Sequence, residues 1–195
     1  MLVGMFASSS QAAPLIANAL GATTLPRHAV LAIDGRTGSG KTTLAGQLAK
    51  ELASKYSVCR VEVESHIEGW AGLASGLRDL ARGPIPQFRA AGACELPVWD
   101  WHAEAWGQAE RVPARGIASV MLLVGCGSSS RALAPLLDGS IWLDAPKELR
   151  KQRVTSREGS PDSWWDMWET QHTELLEQWD SASHATWRVS ELSGS

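Results

Sequence analysis

Short apolar runs alternate along this chain with segments whose leucines and tryptophans recur every three or four residues. Residues 29–33 are all aliphatic, which suits a strand buried on both faces of a sheet. The following segment, 43–53, carries Leu44, Leu48 and Leu52 along one stripe of a helix. A second strand is predicted over 57–64, where Val58, Val61 and Val63 sit among polar residues, and a third over 117–124, the most apolar run present. Residues 140–144, stopped by Pro146, give a fourth strand, and 185–190 a fifth. Helices are predicted at 14–20, at 69–82 around Leu73, Leu77 and Leu80, at 147–157, and from a cap at Asp162 or Ser163 as far as Trp179. The last helix lines up Trp165, Trp168, His172, Leu175, Leu176 and Trp179, which reads as core with His172 as a hydrogen-bonded partner inside it. Gly83, Pro84 and Pro86 end the helix over 69–82, 87–113 reads as loops and short helices, and the tail beyond 190 as disordered. Strands alternating with helices imply an α/β fold, a five-stranded parallel sheet with helices on both faces. Ligands of such sheets bind at the C-terminal strand ends, here Glu64, Val124 and Asp144.

Between the first strand and its helix stands Gly35-Arg36-Thr37-Gly38-Ser39-Gly40-Lys41-Thr42, with Thr43 next. Gly35, Gly38 and Gly40 permit backbone angles that a Cβ resists, so the loop can turn a row of N–H groups toward phosphate oxygens at a helix N-terminus. Lys41 adds positive charge for the β- and γ-phosphates, and the Thr42 hydroxyl suits Mg²⁺, which takes hard oxygen ligands. The nine residues from Gly35 to Thr43 are therefore expected to bind ATP, with Thr42 as metal ligand. The α/β prediction becomes a three-layer P-loop NTPase in a single domain over 1–195, with 1–25 as a loose segment and helix.

A net charge of −3 and the lack of any Lys/Arg block argue against nucleic acid and anionic membrane as partners. Three well-separated cysteines, Cys59, Cys94 and Cys126, form no C-x-x-C pair, so reduced thiols and a cytoplasmic location are expected. Met1 to Phe6 is apolar but has no basic flank, and Ser8, Ser9 and Ser10 interrupt it, unlike a secretory signal. No stretch approaches the about 20 apolar residues of a membrane span. All ten tryptophans lie between Trp70 and Trp187, and most read as core.

Taken with its flanks, Asp34-Gly35-Arg36 through Ala45 resembles the loop of the uridine kinase-like branch of P-loop kinases. Glu64 through Trp70 stands where bacterial members carry an acidic pair followed by Tyr-Pro-Gly-Trp, and Trp99-Asp100-Trp101 where they carry Tyr-Asp-Trp. Trp142 through Pro146 looks like the strand before their lid, so 147–162 is expected to be lid-like, with Arg150, Arg153 and Arg157 as its arginines. The resemblance implies transfer of the ATP γ-phosphate to the hydroxyl of a small molecule. Glu64 would take the acceptor's proton, although a solvated strand end is the plain alternative. Lys41 and the three arginines would stabilise the transferring group. Asp100, Trp101 and Trp70, with Trp99, would bound the acceptor pocket. The pattern breaks at Val124, where the family places a glutamate that holds Mg²⁺; the metal would then rest on Thr42, phosphates, water and Glu64 or Asp34. That change leaves open a nucleotide-binding homologue without turnover. A gluconate- or shikimate-type metabolite kinase is a further alternative, and a homo-oligomer stays open. Neither N-K-x-D nor L-S-G-G-Q occurs, which argues against GTPases and transporter ATPases.

Overall fold

The computed structural model describes residues 4–6 and 8–190. The chain opens with β1 (Gly4–Phe6), α1 (Ser9–Gly21), β2 (Ala29–Gly35), α2 (Lys41–Leu52) and β3 (Val58–Glu62), then a 3₁₀ turn (Val63–His66). Next come α3 (Leu73–Arg82), α4 (Pro84–Ala91), the short strands β4 (Cys94–Leu96), β5 (Trp99–Asp100), β6 (Ala105–Trp106) and β7 (Glu110–Val112), and β8 (Val120–Val124). It finishes with β9 (Gly139–Asp144), α5 (Lys147–Glu158), α6 (Trp165–Gln178), α7 (Ser181–His184) and β10 (Trp187–Ser190).

The main sheet runs β1-β10-β9-β2-β8-β3, all parallel. The five predicted strands are present, and β1 adds a sixth at the edge by pairing with β10. Alternation along β8 divides the core. Val120, Leu122 and Val124 pack with Leu44, Leu48, Leu52 and the buried side of α1. Met121 and Leu123 point the other way, onto Leu73, Leu77, Leu80, Phe88 and Trp168. Helices thus cover both faces, which is why the central strands read as unbroken apolar runs. No helix among the described residues is long and apolar enough to cross a membrane.

Element ends depart from the sequence reading for local reasons. α1 starts at Ser9, not Pro14, because the Ser8 side chain caps it by accepting from the Gln11 N–H at 3.4 Å. Pro84 opens α4 rather than merely closing α3, the first-turn position where its missing N–H is harmless. α3 begins at Leu73. α6 has no side-chain cap from Asp162, whose carboxylate accepts from Ser160 Oγ at 2.6 Å and pairs with Lys151 Nζ at 2.9 Å. The segment expected to be irregular holds two antiparallel ribbons, β4–β7 and β5–β6. β3 stops at Glu62, and Glu64 falls on the 3₁₀ turn beyond it. The tail after Ser190 lies outside the described residues.

Candidate functional site

The loop from Gly35 to Gly40 carries β2 into α2 with three glycines at positive φ: 148° at Gly35, 79° at Gly38 and 104° at Gly40. Space is as decisive as dihedral. A Cβ on Gly38 would lie 2.4 Å from the Arg150 carbonyl oxygen, and one on Gly35 would lie 2.3 Å from that of Leu143. Only glycine lets the loop pass this close to β9 and α5.

Three ties hold the loop in shape. The first is Asp34, fully buried at the end of β2. Its Oδ1 accepts from the N–H groups of Gly35 (2.7 Å) and Gly127 (2.8 Å), and its Oδ2 from Ser129 N–H (2.9 Å) and Ser129 Oγ (2.7 Å). Both oxygens are therefore committed to bracing the loop against the segment after β8, and Asp34 does not serve as the metal ligand that the sequence left open. The second is Arg150, buried in α5. Its Nη1 donates to the Thr37 carbonyl at 3.0 Å, its Nε to the Ala145 carbonyl at 3.2 Å, and its fork grips Glu169 through two bonds of 2.9 and 3.0 Å. The third is Glu169 itself, which also takes Arg36 Nη1 at 3.3 Å. Burial opposes ionisation of Glu169, but the Arg150 hydrogen bonds and charge, with Arg36, outweigh it and hold the carboxyl below its ordinary value.

Lys41 lies at the first turn of α2, with Nζ donating to the carbonyls of Gly35 (2.9 Å) and Arg36 (3.2 Å) and standing 3.4 Å from Cys126 Sγ. Burial works against its charge, yet Cys126, Glu64 and Asp34 around it hold its pKa above the usual lysine value. Burial likewise pushes the Cys126 thiol up. All three cysteines are free and buried.

Above the loop opens a cavity of about 1000 Å³. Its phosphate-loop side is formed by Thr37, Gly38, Gly40, Lys41, Thr42 and Thr43, with Arg153 and Arg157 from α5. Glu62 and Glu64 line the same cavity, as does an aromatic wall of Trp70, Trp101, Trp164 and Trp168. Trp70 is the centre of that wall: its ring stacks on Trp164 (4.9 Å, 12°), tilts against Trp101 (4.7 Å, 53°) and meets Trp168 edge-on (6.0 Å, 87°). Trp101 Nε1 donates to the Glu64 carbonyl at 3.2 Å, joining the wall to the acidic turn. Glu64 Oε1 accepts from the Cys126 N–H at 2.9 Å, which orients the carboxylate. Burial, and then the charge of Glu64, raise the Glu62 pKa above its ordinary value.

The structure thus brings together Lys41, Thr42, Glu64, Arg153, Arg157, Trp70 and Trp101 from remote parts of the sequence. It leaves out others. Asp100 is exposed and bends back on its own turn, its Oδ1 accepting from the N–H groups of His102 (2.9 Å) and Ala103 (3.0 Å). Trp99 is buried against Trp106 at 5.2 Å. Arg150 faces the outside of the loop, not the cavity, and the Arg36 side chain turns to α6. Gly35 and Ser39 are buried and do not line the cavity. His172 is not the satisfied partner that its stripe suggested. It is fully buried, neither ring nitrogen has a hydrogen-bond partner, and its Nε2 lies 3.7 Å from Asp34 Oδ1. Burial depresses its pKa to about 4 against the pull of Asp34, so the ring is neutral near pH 7 and the contact is not an ion pair there.

Sequence reasoning missed Glu62, Cys126, Trp164, Trp168 as a wall residue, and Glu169. Two carried a usable signal. Glu62 is two residues before Glu64 at a strand end, and Trp164 and Trp168 are four apart, hence on one side of a helix start. Cys126 and Glu169 carried none, because their partners are remote in sequence.

Fold and loop together define the class: an α/β protein with the P-loop kinase fold. No family model matches the chain, and no curated protein does. Among solved structures it is similar to a possible uridine kinase from Bacillus stearothermophilus, at 23% identity over 90% of this chain and 95% of that one, with a TM-score of 0.67. It is also similar to a shikimate kinase from Acinetobacter baumannii in complex with shikimate, at 18% identity over 91% and 89%, TM-score 0.51. At these identities the likeness establishes the fold.

Proposed function

We propose that this chain is an ATP-dependent small-molecule kinase of uridine kinase-like type, passing the γ-phosphoryl group to an acceptor hydroxyl. The observation that carries this reading is a single cavity that joins a braced phosphate loop, with Lys41 and Arg153, to two carboxylates and four tryptophans. The donors fit a magnesium nucleotide, since the Thr42 hydroxyl and the carboxylates of Glu62 and Glu64 are hard oxygens on one cavity. Bound there, Mg²⁺ would offset charge on the phosphates. The chain's own residues do the rest. The loop amides and Lys41 hold the phosphate tail, Lys41 exchanging its present carbonyl contacts for phosphate oxygens. Arg153 and Arg157 face the transferring group. Glu64, aimed by Cys126 N–H, accepts the acceptor's proton as the acceptor oxygen bonds to phosphorus and the bond to the ADP oxygen breaks. The tryptophan wall offers flat apolar contact to the acceptor, which suits a nucleoside-like base.

A second reading, nucleotide binding without turnover, is favoured by Val124, which is 1% exposed and cannot hold a metal. Incubation with ATP and Mg²⁺ against a panel of nucleosides, sugars and polyols, with ADP measured, separates the two. Acceptor-dependent ADP that Glu64→Gln abolishes supports the kinase. Tight ATP binding with no acceptor-dependent ADP supports the second reading.

A further inference from the structure

We infer that Glu62 takes over the place of the acid missing at Val124, facing the divalent cation that accompanies the nucleotide. This rests on the nucleotide-binding reading above and adds a residue to it. Glu62 and Val124 are register partners on adjacent parallel strands, β3 and β8, at the rung where both end. In a parallel pair such residues point to the same face. Val124 packs in the core cluster that includes Leu44 and Leu48 of α2, so Glu62 also points to the α2 side of the sheet.

The position along α2 follows from the crossover. α2 leaves the C-terminal end of β2 and returns to the N-terminal end of β3, so it runs antiparallel to both strands. Arg60, on the same face of β3 as Glu62, lies over Gly46, its Nη1 3.6 Å from where a Cβ of Gly46 would stand. Moving two residues up β3 covers about 6.6 Å. Moving four residues back along α2 covers about 6 Å. The step from Arg60 to Glu62 therefore matches the step from Gly46 to Thr42. Glu62 and Thr42 line the same cavity, and Glu62 feels the charge of Lys41.

The carboxylate has moved one strand sideways, while the valine seals the core beneath it. Glu64, on the turn beyond, is tethered to Cys126 N–H and accepts the Trp101 indole N–H on its carbonyl. Its charge also reaches Lys41, so the two acids share the phosphate-loop end of the cavity.

The test is Mn²⁺ binding to the ATP complex of the full chain, followed by electron paramagnetic resonance, with ATP affinity in EDTA measured by calorimetry. Glu62→Gln should weaken Mn²⁺ binding to that complex about tenfold, the low end of what loss of a group in the outer shell of a metal costs. Its metal-free ATP affinity should not fall, since a carboxylate beside the phosphates only repels them without metal, its melting temperature should hold, and Glu62→Asp should retain part of the Mn²⁺ affinity. A Gln variant that holds Mn²⁺ like wild type overturns the role of Glu62 alone. Equal loss of Mn²⁺ in the Asp and Gln variants with reduced melting temperature overturns it in favour of a folding role. A wild-type chain that takes no ATP with or without Mn²⁺ overturns the nucleotide reading itself, a distinct result.

Discussion

Replacing Arg150 with methionine separates two roles that the sequence could not tell apart. A phosphate-facing arginine would matter to transfer and little to folding. The structure instead gives Arg150 a 4% exposed side chain, a two-bond grip on Glu169, bonds to the carbonyls of Thr37 and Ala145, and a position 5.5 Å from the centre of the Trp165 ring. Breaking a buried pair of this kind from one side costs about 3–5 kcal/mol, because the other charge is left in place. Glu169 would keep only Arg36 at 3.3 Å, on a side chain that is itself 27% exposed. For a chain of this length 1 kcal/mol moves the midpoint by roughly 2–4 °C, so Arg150→Met should melt roughly 6–20 °C lower. The loss of the Thr37 tie should also loosen the loop and weaken ATP binding at temperatures where the variant is folded. The double variant Arg150→Met/Glu169→Met should recover much of the midpoint, since removing both charges avoids the stranded carboxylate. Scanning fluorimetry and urea titration read the stability, and calorimetry the affinity. An unchanged midpoint with intact ATP affinity and abolished turnover would refute this reasoning and return Arg150 to the transferring phosphate.

Two further perturbations test the frame around the loop. Gly38→Ala places a methyl 2.4 Å from the Arg150 carbonyl oxygen at a φ of 79°, and should cost more than about 1 kcal/mol of stability as well as most of the ATP affinity; a variant that melts and binds like wild type would show that the loop is not pressed on α5. His172 has a folded pKa of about 4, below the unfolded 6.5, so its contribution is present above pH 6.5 and is lost as pH falls toward 4. At pH 5 that loss is about 2 kcal/mol, and the stability gap between wild type and the non-titrating His172→Gln should shrink by this amount between pH 7 and pH 5. Urea midpoints at the two pH values that move in parallel for both proteins would sink the assignment.

How far the sequence spoke depended on how local each feature is. The phosphate loop is written in eight adjacent residues, and its glycines are dictated by dihedrals and by close backbone approach. The sheet was legible because a strand covered on both faces must be apolar throughout. The arginine helix was legible only in part. A spacing of i, i+3 and i+7 places Arg150, Arg153 and Arg157 along one side of α5, but not which of them is driven inward. That is decided by Gly38, which lets the loop press on α5 at Arg150, and by Glu169, which neutralises the arginine there. Asp100 misled for the opposite reason: an aspartate on a tight turn satisfies its own backbone, and nothing local distinguishes that from a ligand.

The same distinction bears on the missing acid. Read along β8 alone, Val124 removes a metal partner and suggests a chain that has lost its chemistry. Read across the sheet, the rung containing Val124 still ends in a carboxylate, because parallel register places Glu62 beside it on the same face. Strand register is invisible in sequence when the partners are 62 residues apart, so nothing in the order of residues links Val124 to Glu62. A phosphate loop held by Asp34, Arg150 and Glu169, with buried polar groups devoted to its shape, is an expensive arrangement to keep where no anion is bound. The braced loop and the acid on that rung are what the proposed metal–nucleotide reading requires of the site.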